Sequence, residues 1–325
     1  MLTNSRTRKL LARVAAVTCA AVFASGCSNG GTRTSASSPP VAGSSSSAPA
    51  PSTGAPETTG SSVPPSSSTA DITDTTGGQT SEATGATEAP AGSAAANSWF
   101  PLEPGYQSVR LGSLNRGHTE LEHRRVFTVT SVTKVIDGVR ARLVIDQDFD
   151  GGEIAETALD YLALDADGNV VYLGSYTEAY EAGQFVNAAD AWLAGVNGTR
   201  GTLLPGDPQS ASGPFTQVDV PGQETSTAEF VKITQSVCVP FDCYNDVLVI
   251  REGSEFKYYA RGVGGIKTEP NDSGGEQEIE ELINLTQLSS ASLAEISAEA
   301  LRLDEHARVT AERVFGDSQP AEQTP

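Results

Sequence analysis

Residues 126–146 read VFTVTSVTKVIDGVRARLVID, and this stretch predicts the fold class. Apolar and polar residues alternate from Val139 to Ile145, which is the period-two pattern of a β-strand with one buried face. Asp137-Gly138 separates this strand from a preceding apolar run over Val126–Ile136. An Asp-Gly pair between two such runs is a strong signal for a two-residue hairpin turn. The stretch therefore predicts an antiparallel β-hairpin.

Similar short runs, separated by turn signals, continue from Trp99 to residue 289. The further strands predicted from them are a hairpin over Tyr161–Tyr176 that turns at Asp165–Asn169, and then Phe215–Val220, Ala228–Val239, Tyr244–Arg251, Glu255–Thr268 and Glu278–Leu288. Many sequential strands with short connections favour an antiparallel arrangement. We therefore predict a mainly β domain over residues 99–289, an antiparallel meander that forms an open curved sheet or a partial barrel.

The pattern changes to a helical period over residues 290–316. The apolar side chains that share one helical face are Leu293, Ile296, Ala300, Leu303, Ala307 and Val314. Ser292 to Glu295 has the sequence of a capping box, and Gly316 is placed as the C-cap. We predict one C-terminal amphipathic helix, which makes the class α+β. Its apolar face packs on or beside the sheet, or alternatively docks onto a partner. Residues 317–325 are predicted to be a disordered tail.

Residues 1–26 have the features of a signal peptide. A basic head precedes an apolar run over Leu10–Phe23, which is too short to span a bilayer. The following Ala24-Ser25-Gly26-Cys27 resembles the lipobox of bacterial lipoproteins. That resemblance implies acylation of the Cys27 thiol and a lipid anchor in the membrane. The alternative is ordinary secretory cleavage near Ala24, which would leave Cys27 as a free thiol.

Residues 27–98 form a low-complexity segment. Ser, Thr, Pro, Ala and Gly dominate it, and no aromatic residue lies between Phe23 and Trp99. Such a segment cannot bury enough apolar surface to offset the entropy of ordering its backbone. We therefore predict a disordered tether between the lipid anchor and the β domain.

The charge of the chain excludes nucleic acid as a default partner. Lys and Arg together number 21 against 41 Asp and Glu, which gives a formal net charge of −20. A chain this acidic is repelled by phosphate backbones. The partners predicted instead are the membrane, through the lipid anchor at Cys27, and a cell-wall or envelope protein.

The cysteines support placement outside the cytosol. Of the four, Cys19 leaves with the signal peptide and Cys27 takes the lipid, so Cys238 and Cys243 remain. An even remainder in an exported chain favours a disulfide. A metal or redox pair would call for C-x-x-C spacing or nearby His ligands, whereas these residues have C-x4-C spacing. We predict a disulfide that closes a short loop between two strands.

One acidic stretch partly matches a metal site. Asp146, Asp148 and Asp150, followed by Gly151, match the first half of an EF-hand calcium loop. Thr157 stands where that loop needs a bidentate Glu, so the second half does not match. An acidic hairpin turn is therefore the favoured interpretation, and we predict no metal site.

The histidines give no catalytic signature. His118 and His123 lie in a charged stretch before a strand, and His306 lies on the predicted helix. Residues 99–316, the predicted β domain and helix, have neither a Gly-x-Ser-x-Gly nucleophile elbow nor a His-Glu-x-x-His zinc motif. We interpret the three as solvated side chains, and predict no catalytic residue and no cofactor.

Three motifs carry a resemblance to a family, namely Phe100-Pro-Leu-Glu-Pro-Gly105, Lys134-Val-Ile-Asp-Gly-Val139 and Lys257-Tyr-Tyr-Ala-Arg-Gly-Val-Gly-Gly-Ile-Lys267. Over about residues 99–315 the chain resembles a group of uncharacterised exported proteins and lipoproteins that is common in actinobacteria. Members have Tyr-Tyr-Ala-Pro-Gly-Val-Gly, so Arg261 stands here in place of Pro. The resemblance implies no activity, cofactor or catalytic residue.

The leading functional prediction is a non-enzymatic binding or structural module. It is a cell-envelope lipoprotein anchored on the extracytoplasmic face of the cell membrane. One alternative is a carrier of an apolar ligand such as a lipid, in a half-barrel pocket with the helix as its lid. A second is a secreted hydrolase, which would need His118, His123 and acidic residues clustered in a cleft. The candidate ligand surface is Tyr258, Tyr259 and Trp192, with the two tyrosines expected on opposite sides of the sheet.

Overall fold

The computed structural model describes residues 96–116, 119–271 and 277–324. The predicted signal peptide, the lipid-attachment site at Cys27 and residues 27–95 of the predicted tether lie outside the described residues, as does His118. Within the described ranges, no helix is long and apolar enough to cross a membrane.

The fold is one antiparallel sheet followed by a C-terminal helix, as predicted. The strands are β1 Tyr106–Arg116, β2 Thr119–Ile136, β3 Val139–Asp150, β4 Glu153–Leu164, β5 Val170–Glu181, β6 Gln184–Asn187, β7 Trp192–Leu193, β8 Gly201–Leu204, β9 Phe215–Val218, β10 Ser226–Cys238, β11 Cys243–Glu252, β12 Glu255–Ala260, β13 Gly264–Pro270, β14 Gln277–Gln287 and β15 Glu322–Gln323. The helices are α1 Ser290–Thr310 and α2 Glu312–Phe315, and a short 3-10 turn spans Pro208–Ser210.

Two meanders joined at β1 and β14 build the sheet. The strand order is β6-β5-β4-β3-β2-β1-β14-β13-β12-β11-β10-β9, while β7 and β8 pair with β5, and β15 pairs with β2. The sheet is open. The strand predicted over Glu255–Thr268 is in fact two strands, β12 and β13, because the chain turns at Gly262 between them.

The hairpin predicted at Asp137-Gly138 is confirmed. Ile136 pairs with Val139, and the two turn residues have φ angles of 48° and 75°, as a type I′ turn requires. However, β3 is buried on both faces, since Val144 is as fully buried as Leu143. The prediction of one buried face was therefore wrong, because the sheet curves so that its second face also encloses a core.

We call these two faces of the sheet the outer and the inner face. On the outer face, Leu143 and Tyr161 pack in one cluster with Leu303 of α1. On the inner face, Leu162 of β4 packs in one cluster with Leu248 of β11. Because β4 and β11 lie far apart in the strand order, the sheet must curve around the inner face to bring them together.

Helix α1 packs on the outer face, which confirms the sheet-packing interpretation of its apolar stripe. Its central apolar positions, Ala300, Leu303 and Ala307, are fully buried. The ends differ from the prediction. The N-cap is Ser289, whose hydroxyl accepts from the Ser292 backbone N–H at 3.2 Å, so the helix begins before the predicted capping box. Gly316 is a C-cap, as predicted, but it caps the short helix α2 and has a right-handed conformation.

A buried ion pair fixes α1 to the sheet. Asp304 on the helix accepts from Lys134 Nζ of β2 at 2.6 Å and from the Tyr161 hydroxyl of β4 at 2.8 Å. Lys134 and Asp304 are only 1% and 2% exposed. Desolvation lowers the pKa of Lys134, although the charge of Asp304 opposes that effect. The helix is therefore held by a charge pair as well as by its apolar stripe.

A second polar contact joins the helix to β5. Glu178, which is buried, accepts from Tyr176 at 2.9 Å and from Tyr180, and its Oε1 lies 2.5 Å from Nδ1 of His306. Burial opposes ionisation of Glu178, but these hydrogen bonds outweigh it and hold its pKa below the usual 4.5. His306 is therefore a packing contact of α1, although its side chain is still 36% exposed to solvent.

Both ends of the folded part extend beyond the predicted boundaries. At the start, Asn97 is buried and its side-chain amide donates to the Gly168 backbone oxygen at 2.9 Å. At the end, β15 pairs with β2 inside the tail predicted to be disordered, and Ala321 N–H donates to Asp304 at 3.0 Å. The tail is ordered because it completes the hydrogen bonds of the buried Asp304 carboxylate.

Candidate functional site

A cavity of about 150 Å³ lies on the inner face of the sheet. It has room for on the order of ten water molecules or a small ligand. The aromatic side chains that line it are Phe100, Tyr106, Phe127, Tyr172, Trp192 and Tyr259. They come from both meanders and from the segment before β1, so curvature of the sheet creates the cavity.

Charged side chains line the rest of the cavity. Its cationic lining residues are Arg110, Arg125 and Lys257, and its acidic ones are Asp146, Glu156, Asp160, Asp190, Glu224 and Glu252. Carboxylates therefore outnumber cations among the described lining residues. Several of these groups pair with one another: Lys257 Nζ lies 3.3 Å from Glu252, and the Tyr172 hydroxyl donates to Asp160 at 2.6 Å. The lining of the cavity thus combines aromatic side chains with an excess of negative charge.

Two of the three residues predicted as a ligand surface line this cavity. Trp192 makes an edge contact with Tyr172, with ring centroids 5.1 Å apart, and Tyr259 projects from β12. Tyr258 lies on the opposite side of the sheet, packed against the outer cluster around Val247, and its hydroxyl donates to Glu269. The expectation that the two tyrosines face opposite sides is confirmed, and Tyr258 does not line the cavity.

Among the described residues that line this cavity none belongs to α1 or α2, so the cavity lies outside the sheet–helix interface. Fully buried side chains fill that interface, including Tyr161, Leu303 and Phe315. Ring centroids of Tyr161 and Phe315 lie 5.8 Å apart. The arrangement expected for a carrier with α1 as its lid was therefore wrong, because the helix packs on the face opposite the cavity.

The acidic stretch Asp146 to Asp150 forms the end of strand β3. Its alternate carboxylates lie on the inner face, and the turn that follows is Gly151-Gly152. Asp146 accepts from Arg125 Nε at 2.8 Å, and Asp148 lies 3.6 Å from the same nitrogen. A calcium loop would have to wrap these carboxylates around one ion. In the extended strand they are instead directed to cations of β2.

A row of polar side chains crosses the inner face beside the cavity. In register across neighbouring strands, its members are Asp150, His123, Gly112, Glu280 and Thr268, and we call them the ionic row. A Cβ at Gly112 would lie 1.9 Å from the Ile279 backbone oxygen, so β1 and β14 approach as only glycine allows. The absence of a side chain there lets His123 and Glu280 meet across β1.

His123 is buried within this row and has a carboxylate at each ring nitrogen. Nδ1 lies 2.8 Å from Asp150 and Nε2 lies 3.2 Å from Glu280. Burial lowers the pKa of His123, but the bonds to Asp150 and Glu280 outweigh it and raise the pKa to about 11. The interpretation of His123 as a solvated side chain was therefore wrong.

The two glutamates of β14 near His123 have pKa values that are shifted in opposite directions. Burial opposes ionisation of Glu280, but Arg110, Arg125 and His123 outweigh it and hold its pKa well below the usual value. Burial and the neighbouring Glu280 charge raise the pKa of Glu278 well above the usual value. Of these two glutamates, Glu280 therefore ionises readily and Glu278 resists ionisation.

Sequence reasoning missed Arg110, Arg125, Glu278 and Glu280. The signal that could have found the last three is charge alternation on strands, in His123-x-Arg125, Asp146-x-Asp148-x-Asp150 and Glu278-x-Glu280. Each pattern places its charged side chains on one face of a strand. Because that face carries charge rather than apolar residues, a polar inner face could have been suspected.

Comparison with known proteins gives limited information. No family model and no curated protein matches the chain. One similar solved structure is described as a "putative lipoprotein" from Parabacteroides distasonis ATCC 8503, with 13% identity, a TM-score of 0.35, and coverage of 59% of this chain and 99% of that one. Another is a "putative exported protein with YmcC-like fold" from Bacteroides fragilis NCTC 9343, with 15% identity, a TM-score of 0.33, and coverage of 58% and 98%. Both likenesses are weak, so the role of the site rests on its own geometry.

Proposed function

We propose that this chain is a lipid-anchored binding protein of the cell envelope, and that its inner-face cavity binds a small amphipathic ligand that carries a positive charge. One observation supports the ligand class: aromatic rings and an excess of carboxylates converge on the same cavity. The proposal refines the binding-module prediction and does not involve catalysis. His123 is not among the residues that line the cavity, so it is not placed to act on a bound ligand.

The aromatic part of the lining suits the apolar part of such a ligand. Aromatic side chains supply large apolar contact surfaces, and ligand sites combine such surfaces with a few polar groups that fix orientation. Trp192 and Tyr172 are already in edge contact, which makes a rigid wall. Rings of this kind also attract a cation placed over their faces.

The charged part of the lining favours a cation over an anion. The excess of carboxylates gives the cavity a negative field, and a low-dielectric wall strengthens that field. An anionic ligand would be repelled by the same groups. An uncharged lipid would displace water from these charged groups and bring no charge to offset their net negative charge, which argues against the apolar carrier.

The envelope location is part of the proposal and is supported by the sequence. The basic and apolar N-terminal segment with Cys27 favours export and lipid anchoring. The Cys238–Cys243 disulfide, which closes the β10–β11 hairpin, is the kind of bond that persists in an oxidising compartment. Mass spectrometry of the membrane fraction tests the anchor: the mature N-terminus should be an acylated Cys27, and an unmodified Cys27 would contradict it.

Binding of three probes of similar size tests the ligand class: phenethylamine, phenethyl alcohol and hydrocinnamate. Calorimetric titration of the full-length chain should show the amine binding about tenfold more tightly than the alcohol, a difference of about 1.4 kcal/mol. Hydrocinnamate should bind most weakly. Asp160→Asn should reduce the preference for the amine, because it removes one lining charge and keeps the side-chain volume.

Two neighbouring tyrosines provide a matched pair of variants. Tyr259→Ala should weaken amine binding, whereas Tyr258→Ala on the other side of the sheet should leave it unchanged. Binding of hydrocinnamate at least as tight as the amine would contradict the proposal, as would a Tyr259→Ala variant with unchanged affinity. Failure of all three probes to bind would also reject it.

A further inference from the structure

Three potential metal ligands meet where the ionic row crosses β1. One atom each of His123, Glu278 and Glu280 lies within 4.8 Å of the others. Nε2 of His123 is 3.2 Å from Glu280 Oε1 and 4.0 Å from Glu278 Oε1. A tetrahedral ion bound at about 2.0–2.1 Å has ligand atoms roughly 3.3 Å apart. The first separation matches that value, and the second would shorten when an ion binds.

The orientation of the His123 ring suits metal binding. Its Nδ1 lies 2.8 Å from the Asp150 carboxylate, so its Nε2 is directed to the two glutamates. A carboxylate on the far nitrogen is the arrangement that usually fixes the ring orientation of a metal-binding histidine. Asp150 is therefore a positioning residue for His123.

The two glutamates each direct an oxygen to the same point. Arg110 Nη1 binds Oε2 of Glu280 at 3.1 Å, which leaves Oε1 facing His123. Oε1 of Glu278 is fully buried and has no hydrogen-bond partner among the described residues. An unsatisfied buried carboxylate oxygen is costly, and coordination of a cation removes that cost.

The local charge also favours a cation. Counted over the described residues, the five carboxylates of Asp146, Asp148, Asp150, Glu278 and Glu280 surround two guanidiniums and one imidazole. The guanidiniums are those of Arg110 and Arg125. Even with His123 protonated and Glu278 neutral, four charged carboxylates stand against three cations, so the cluster keeps a net negative charge that a divalent ion would offset.

We propose that His123, Glu278 and Glu280 bind a divalent transition-metal ion of the zinc class. One imidazole nitrogen with carboxylate oxygens suits zinc, whereas calcium and magnesium prefer all-oxygen sites. Binding displaces the proton on Nε2 of His123 and the proton carried by a neutral Glu278, and both are released to solvent. Three protein ligands leave a fourth position for water. These residues do not line the cavity, so this site is independent of the ligand proposed there.

Zinc titration of the full-length chain, first stripped with a chelator, tests the site. We expect one Zn²⁺ bound per chain by calorimetry and by elemental analysis, with a higher melting temperature. Glu278→Gln should weaken binding about tenfold or more, and Asp150→Asn should weaken it by about 10- to 100-fold through loss of ring orientation. Mg²⁺ should not displace the zinc.

A matched control separates this site from general binding to an acidic surface. Glu281→Gln changes the residue next to Glu280. The Glu281 carboxylate lies 3.6 Å from Lys267 on the outer face, so this variant should leave the zinc affinity unchanged. Melting of each variant without metal checks its folding. The absence of stoichiometric zinc binding would overturn the proposal, as would equal affinities for Glu278→Gln and the unmodified chain.

Discussion

Replacing Asp304 by alanine tests how helix α1 is held on the sheet. The substitution leaves Lys134 Nζ, which lies 2.6 Å from the carboxylate, without its ion-pair partner in a site where the lysine is 1% exposed. It also removes the acceptor of the Tyr161 hydroxyl. Both groups then remain desolvated without compensation, so we expect a large loss of stability.

The size of that loss follows from the burial of the pair. Removing one partner of a buried ion pair costs about 3–5 kcal/mol, because the remaining charge is left in a low-dielectric site. For a folded part of this size, each kcal/mol changes the melting temperature by about 2–4 °C. A loss of about 4 kcal/mol therefore predicts a decrease of roughly 8–16 °C for Asp304→Ala.

Urea denaturation and thermal melting, followed by circular dichroism, measure the effect. Lys134→Met combined with Asp304→Leu should be far more stable than Asp304→Ala, because replacing both charges with apolar groups leaves no unpaired ion. Glu305→Ala, at the adjacent exposed position, is the control and should cost less than about 0.5 kcal/mol. A loss below about 1 kcal/mol for Asp304→Ala would refute the reasoning, as would a double variant less stable than the single one.

Three further predictions concern other parts of the molecule. The folded pKa of Glu178 is below its unfolded value, so its stabilising effect is present above about pH 4.5 and lost as the pH falls through the folded pKa. In melting curves from neutral to acid pH, the loss of stability caused by Glu178→Gln should therefore shrink below about pH 4.5. A loss that stays constant with pH would contradict this. Cys238→Ser opens a loop with a sequence separation of 5 and should cost about 2 kcal/mol by the loop-entropy relation; a Cys238→Ser chain as stable as the unmodified one in urea would argue against it. Gly112→Ala should destabilise the fold by about 3 kcal/mol or more, since the new Cβ would overlap the β14 backbone. Gly265→Ala is the control, because a Cβ there comes no nearer than 3.3 Å to the flexible tip of Arg110. Equal melting temperatures for the two variants would contradict the close-approach argument.

The features that could be predicted from the sequence are those determined by neighbouring residues. Asp137-Gly138 specifies a turn by its own backbone preferences, and the two strands beside it pair as predicted. Cys238 and Cys243 are close in the chain, and they pair across one hairpin. In both cases the partner lies within a few residues, so no knowledge of the wider topology was needed.

The features that were missed depend on pairing between distant strands. Strand β1 has no long apolar run, and it is held between β2 and β14 by backbone hydrogen bonds. His123 and Glu280 are 157 residues apart in sequence and meet only because those strands flank Gly112. Local patterns show that each strand carries charge on one face, but not which charged faces will be brought together.

The two faces of the sheet differ in what folding requires of them. On the outer face, apolar side chains and the Lys134–Asp304 pair attach α1, and removal of either would destabilise the fold. On the inner face, His123, Arg125 and Glu280 fill buried positions at which apolar residues are often as stabilising as an ion cluster. Folding alone therefore does not account for the ionic row. Its position beside an aromatic and acidic cavity favours an explanation in binding, and the zinc and amine titrations test the two halves of that explanation separately.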